Sequence, residues 1–150
     1  MTKLLIIYHS RTGNTETMAK AVYEGATSAG ATVSLKQAAD TTNDDFLSCD
    51  AVIVGTPTNF GQLAGVLKEF FDQAWLTIGD EATSKPYATF TSAASGEKNA
   101  LDSIDGICDA FNRRKQLHFK KVCEGVVAAG EPSPEVLEEC KALGKKLANL

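Results

Sequence analysis

Between an apolar run, Leu4 to Tyr8, and a helical pattern lie seven residues, His9-Ser10-Arg11-Thr12-Gly13-Asn14-Thr15. They bring three hydroxyls, an amide, a guanidinium and a glycine to a place where a bare turn needs one or two such groups. The chemistry that uses such a set is anion binding. A helix N-terminus presents unpaired N–H groups and the positive end of the dipole, and both favour a phosphate. Gly13 lets the backbone turn closely, and Ser10, Thr12, Asn14 and Thr15 offer donors to phosphate oxygens. Arg11 is the one base and there is no lysine, so a dianion here would be held mainly by neutral groups. The alternative use of the same residues is an elaborate helix cap. Two later stretches, 55–62 and 91–99, are similarly rich in hydroxyls, glycine and small side chains.

The elements that must position these loops follow from periodicity. Short apolar runs at 3–8, 51–54, 86–91 and 122–129 read as strands, and 32–36 alternates as an edge strand does. Helical stripes run between them. Met18, Ala19, Val22 and Ala26 repeat within 15–29, and Leu63 to Trp75 form the strongest amphipathic pattern, over 63–76. Leu101, Ile104, Ile107, Cys108 and Phe111 mark 100–116. A last helix opens at Ser133-Pro134-Glu135, with a serine cap and proline in the first turn. The segment 38–48 is ambiguous. Alternating strands and helices imply right-handed crossovers and a five-stranded parallel sheet covered on both faces, with order 2-1-3-4-5. No linker or repeat divides the chain, so 1–150 is expected to be one domain. In such a sheet ligands sit at the carboxyl ends of the strands where the order reverses, which selects the loops 9–14, 55–62 and 91–99.

Charge and composition exclude other classes. A net charge of −4 argues against nucleic acid as partner. The four cysteines are scattered and form no C-x-x-C pair, so neither a metal nor a disulfide framework is expected, and a reducing cytoplasm is. Nothing reaches the length of a membrane span, and the N-terminal apolar run is too short for a signal peptide. A phospho-receiver would need acidic residues after the first strand and an aspartate after the third. A cysteine phosphatase would need Cys and Arg bracketing the first loop. Walker and dinucleotide glycine fingerprints are also missing.

Residues 6–22, with Ile6, Ile7, Tyr8, Ser10, Gly13, Thr15, Ala19 and Val22 in every slot, resemble the flavodoxin signature for the phosphate of FMN. The stretch 55–73, "GTPTNFGQLAGVLKEFFDQ", is similar to the NAD(P)H:quinone reductases of the tryptophan-repressor-binding-protein family. The stretch 91–100 resembles their loop after the fourth strand. The resemblance implies a flavodoxin-like three-layer α/β sandwich with FMN as cofactor. Ser10, Arg11, Thr12, Gly13, Asn14 and Thr15 would hold its phosphate. Thr56, Pro57, Thr58, Asn59, Phe60 and Gly61 would contact the ribityl chain and ring, and Ser92, Ala93, Ala94, Ser95 and Gly96 would close the far edge. Phe60 is the single stacking candidate, with burial as a core anchor its alternative role.

The resemblance leaves two activities open. One is an NAD(P)H-dependent reductase of quinones, in which the cofactor does the chemistry and no side chain need act as acid, base or nucleophile. The other is a flavodoxin-type electron carrier that meets a redox partner protein. The third loop lacks the second aromatic that carriers use to sandwich the flavin, and −4 is only mildly acidic for a carrier. The reductases also carry segments beyond the basic unit that help build their oligomers, and a homo-oligomer stays an open expectation for this shorter chain. An FMN-binding regulatory module without turnover is a third class. The basic run Arg113, Arg114, Lys115, Lys120 and Lys121 reads as a solvated helix end, Asp102, Asp105 and Asp109 as a solvated helix face, and the cysteines as buried thiols.

Overall fold

A computed structural model describes residues 2–78, 85–115 and 118–150. The order is β1 (Lys3–Tyr8), α1 (Asn14–Ser28), β2 (Thr32–Gln37), a 3-10 turn (Ala38–Asp40), α2 (Asn43–Ser48), β3 (Ala51–Pro57), α3 (Gly65–Thr77), β4 (Lys85–Ala93), α4 (Asn99–Lys115), β5 (Phe119–Lys121), β6 (Val126–Ala129) and α5 (Pro134–Ala148). All strands are parallel in the order β2-β1-β3-β4-β5, with β6 pairing the upper part of β4. This is the expected doubly wound order. The ambiguous segment 38–48 holds the 3-10 turn and α2, whose start is fixed by a capping box between Thr42 and Asp45.

Alternation along the buried strands divides the core in two. Leu4, Ile6, Ile53 and Phe90 face α1 and α5, where Met18, Val22, Leu143 and Leu147 pack. Leu5, Ile7, Val52 and Val54 face α3 and α4, meeting Leu67, Phe70, Phe71, Ile104 and Phe111. The helical stripes read from sequence are these faces, except that Val66 is exposed. Helices α1 and α5 approach closely because two glycines leave room: a β-carbon on Gly25 would lie 2.0 Å from the Lys141 carbonyl, and one on Gly144 would lie 2.1 Å from that of Val22.

The last strand differs from the expected 122–129. It begins at Phe119, which is buried, and is broken between Lys121 and Val126. Tyr87 pairs with Lys121 and Phe90 with Val126, so two residues of β4 face four of the outer strand and the excess bulges. Gly125 ends the bulge where a β-carbon would come within 2.5 Å of Leu101 and Thr89. Lys120 and Lys121 therefore belong to a strand and not to a helix end. Residue 116, expected to end the fourth helix, lies outside the described residues.

The register aligns the carboxyl ends. Tyr8 sits opposite Gly55, Pro57 opposite Ser92, and Ser92 opposite Ala128. The three loops therefore leave the same edge of the sheet.

Candidate functional site

The first loop is built around Ser10 and Gly13. Gly13 caps α1 at φ 103, a left-handed angle that a β-carbon disfavours. The Ser10 hydroxyl accepts from the backbone N–H groups of Gly13 and Glu16, each at 3.2 Å. Helix capping thus falls to Ser10. Among the described residues the N–H groups of Arg11, Thr12, Asn14 and Thr15 have no acceptor within the chain. These, with the exposed Thr12 side chain, form an open donor set at the positive end of a four-turn helix. Its chemistry fits a phosphate dianion. Glu16, the carboxylate in the first turn of α1, is paired to Lys20.

Thr15 has another duty. It is buried, and its hydroxyl lies 2.9 Å from that of Ser92, also buried, so the two bind each other. Ser92 and Ala93 are the last residues of β4 and not loop residues. The Ser92 carbonyl accepts from the Thr58 N–H at 2.9 Å, which ties the second loop to the same point. Thr91, absent from the sequence reading of the site, is a hub. Its hydroxyl donates to the Thr56 carbonyl at 2.6 Å, and it has one proton, so at 2.9 Å it accepts from Thr58. Thr56 is fully buried; its hydroxyl donates to the Pro57 carbonyl and accepts from the Ala64 N–H. Among the described residues every buried side-chain polar atom has a partner. Thr15, Thr56 and Ser92 thus brace the site and leave its surface to other groups.

That surface includes Phe60. Asn59 and Gln62 exchange both backbone hydrogen bonds at 2.9 Å, closing a two-residue hairpin whose central residues have φ 52 (Phe60) and φ 74 (Gly61). This is the type I′ geometry, which favours Asn or Gly at both places. Phe60 takes the strained one and is fully exposed, at 104% relative accessibility. It is not a core anchor. Strain of this kind persists where the surroundings fix it and is enriched at ligand sites. Phe60, Arg11 and Asn59 line a cleft of about 880 Å³ that reaches Ser103 and Ile107 of α4.

The third loop is small and open. The Ala93 carbonyl accepts from Gly96 at 3.1 Å and from Gly130 at 2.9 Å, turning the chain back at once with Gly96 at φ 73. Ala94, Ser95 and Gly96 are exposed. The Ser95 N–H donates to the Glu97 carboxylate at 3.2 Å. The three loops thus leave one edge of the sheet, with an exposed aromatic in the second and only small residues in the turn of the third.

Residues set aside from the site fall mostly as expected. Cys49, Cys108 and Cys140 are buried, Cys123 is half-buried in the bulge, and burial pushes the Cys108 and Cys140 thiols up to about 12. Asp105 departs from a plain solvated face: it accepts from the Tyr87 phenol at 2.8 Å and from Lys121 at 2.9 Å.

The sequence matches the flavodoxin family model over residues 6–144. The chain belongs to the flavodoxin family. Flavodoxins bind FMN, and this chain is a flavoprotein of that family. It is 37% identical to a flavodoxin from Aquifex aeolicus (strain VF5), across 99% of this chain and 86% of that one. It is 35% identical to an NAD(P)H dehydrogenase (quinone) from Gluconacetobacter diazotrophicus, across 100% of this chain and 97% of that one. The WrbA-like flavodoxin from Agrobacterium tumefaciens superposes with TM-score 0.76 at 26% identity, covering 99% and 96% of the two chains. Against further proteins named NAD(P)H dehydrogenase (quinone), the match spans 64% of their length. Among the described residues no helix is long and apolar enough to cross a membrane.

Proposed function

We propose that this flavodoxin-family protein is an NAD(P)H-dependent reductase of quinones. In the net reaction NAD(P)H and a proton convert a quinone to a quinol and leave NAD(P)⁺. FMN supplies the route by which the hydride's two electrons pass between the substrates. The chain's own part is binding and orientation. The free N–H groups of Arg11, Thr12, Asn14 and Thr15 would hold the phosphate, with Gly13 leaving them room. Asn59, Phe60 and Gly61 would wall one side of the flavin, and Ala94, Ser95 and Gly96 the other, over the brace of Thr15, Thr56, Thr58, Thr91 and Ser92.

One observation carries the reading: Phe60 is fully exposed, while the turn of the third loop, Ala94 to Gly96, carries only small residues. A flat substrate can reach a flavin that is covered on one side only. The four free thiols suit a reducing cytoplasm.

The test is anaerobic mixing of the FMN-loaded protein with NADPH or NADH, followed by a benzoquinone. Bleaching of the flavin and its recovery with quinone are expected. Bleaching by reduced methyl viologen alone would defeat the reading in favour of a carrier. Chain length supports that second reading. The quinone dehydrogenase alignment spans 193 positions, so at least 43 lie opposite gaps in a chain of 150, whereas the flavodoxin alignment spans 164.

A further inference from the structure

The cleft beside Phe60 continues past the loops. It shares Lys68 and Ile107 with a second hollow of about 370 Å³ lower on the seam between α3 and α4, which Trp75, Phe111, Arg113 and Arg114 line. The two form one groove. Its wall on α4 runs from Ser103 to Arg114, about 16 Å at a helical rise of about 1.5 Å per residue.

Charge along the groove is mostly positive. Arg11 and Lys68 line the upper part, where no lining residue is acidic. Arg113 and Arg114 line the lower part and make no ion pair with the described residues. The one carboxylate among the lining residues, Asp72, is held by Lys68 at 2.5 Å. An aromatic ring stands at each end, Phe60 above and Trp75 below.

We propose that this groove binds NADPH, a nicotinamide dinucleotide with a phosphate on its adenosine ribose. The nicotinamide end lies at the Phe60 rim and the pyrophosphate between Arg11 and Lys68. The adenosine lies against Trp75, with its 2′-phosphate on Arg113 and Arg114. Guanidinium forks match phosphate oxygens in pairs, and aromatic faces stack on purines. An extended dinucleotide spans this length. The solvated helix end expected from sequence thereby gains a ligand. An acidic protein would meet the same cations, but the two ring-lined hollows with cations between them favour the dinucleotide. The inference rests on the reductase reading and narrows its electron donor.

Trp75 is the single tryptophan of the chain, so its fluorescence reports on the groove without turnover. The FMN-loaded protein is titrated with adenosine 2′,5′-bisphosphate, with adenosine 5′-monophosphate and with a short polyglutamate peptide. Expected is a saturable response to the bisphosphate at least tenfold tighter than to the monophosphate, weakened at least tenfold in Arg113→Ala/Arg114→Ala. NADPH should also half-saturate flavin reduction at a concentration at least tenfold below NADH or reduced nicotinamide mononucleotide, an advantage the double variant loses. If the bisphosphate titrates as described but no reduced nicotinamide bleaches the flavin, the reductase reading falls and the groove stands as a nucleotide site. If all three reduced nicotinamides work equally and the bisphosphate gives no response, the groove proposal falls and the reductase reading stands. A response to polyglutamate alone gives the groove to an acidic partner and overturns the proposal.

Discussion

Replacing Phe60 should move stability and cofactor affinity in opposite directions. Phe60 holds the first central place of a type I′ turn at φ 52, where a residue with a β-carbon is strained by roughly 1–2 kcal/mol. Its ring is fully exposed, so removing it from the apoprotein forfeits no buried contact. Asn is among the residues the turn prefers, so Phe60→Asn should stabilise the apoprotein by about 1 kcal/mol, or about 2–4 °C in midpoint for a chain of this size. With FMN bound the ring gains a partner, and an aromatic pair is worth about 0.5–1.5 kcal/mol, so the same change should weaken FMN binding roughly 2- to 12-fold. Phe60→Ala separates the two effects. It keeps a β-carbon at positive φ, so apoprotein stability should stay put while FMN affinity falls as before. Urea unfolding of the apoproteins and quenching of FMN fluorescence provide the two readings. Loss of stability in Phe60→Asn would mean that the ring is packed and the strain argument is wrong. Wild-type FMN affinity in both variants would remove Phe60 from the flavin wall.

Four further outcomes are expected. Thr15→Val leaves the Ser92 hydroxyl buried without its partner and should cost about 1–3 kcal/mol in unfolding, largely restored by Thr15→Ser. Gly55→Ala places a β-carbon 2.1 Å from the fully buried Phe90 ring, and such overpacking should cost about 1–3 kcal/mol, measured by urea midpoint. The hydrogen bond from Lys36, helped by the Thr42 N–H, holds the Asp45 carboxyl below its ordinary value. Its stabilisation is present above the unfolded value and is lost as pH falls through the folded one, so Asp45→Asn should flatten the acid limb of a stability profile below about pH 4. With NADPH saturating, the dependence of the rate on quinone concentration should change less than about twofold between 20 and 200 mM salt, because a neutral quinone gains nothing from steering.

How far the sequence could be read depended on whether a residue's role was local. The helical stripes and the sheet order were legible because burial on both faces of a parallel sheet writes long apolar runs and 3.6-residue periods directly into the chain. The outer strand was misplaced because Phe119 alone marks its start, followed by two lysines. The bulge at 122–125 depends on Leu101 and Thr89, far off in sequence. The first loop was legible as a donor set, yet its division of labour was not. Whether Thr15 faces a ligand or Ser92 is decided by where β4 ends beside α1, a 77-residue separation. Thr91 was passed over for the same reason, since a threonine inside an apolar strand looks like an ordinary β-former until its partners at and just beyond the end of β3 are known. Exposure of Phe60 follows from the sign of its φ, which the composition of "NFG" leaves open.

The division between bracing hydroxyls and free amides bears on what the bound cofactor is prepared to do. In the reading proposed above the phosphate is left to oriented N–H dipoles, which supply partial charge without a counter-ion, and the charges on the loops and the helices beside them come largely in pairs. Arg11, Lys68 and Lys98 stand against Asp72, Glu97 and Asp102, and two of these cations are paired with acids on their own helix or at its start, Lys68 to Asp72 and Lys98 to Asp102. A unit charge about 10 Å away through a water-like medium is worth about 0.4 kcal/mol, so an acidic rim of five such charges would oppose adding an electron pair by about 2 kcal/mol. Here that opposition largely cancels. An acidic rim suits a carrier, since it lowers the potential and steers a basic partner protein. A balanced rim would forgo both and lower the resistance to accepting a hydride, which is the behaviour the proposed nicotinamide donor requires.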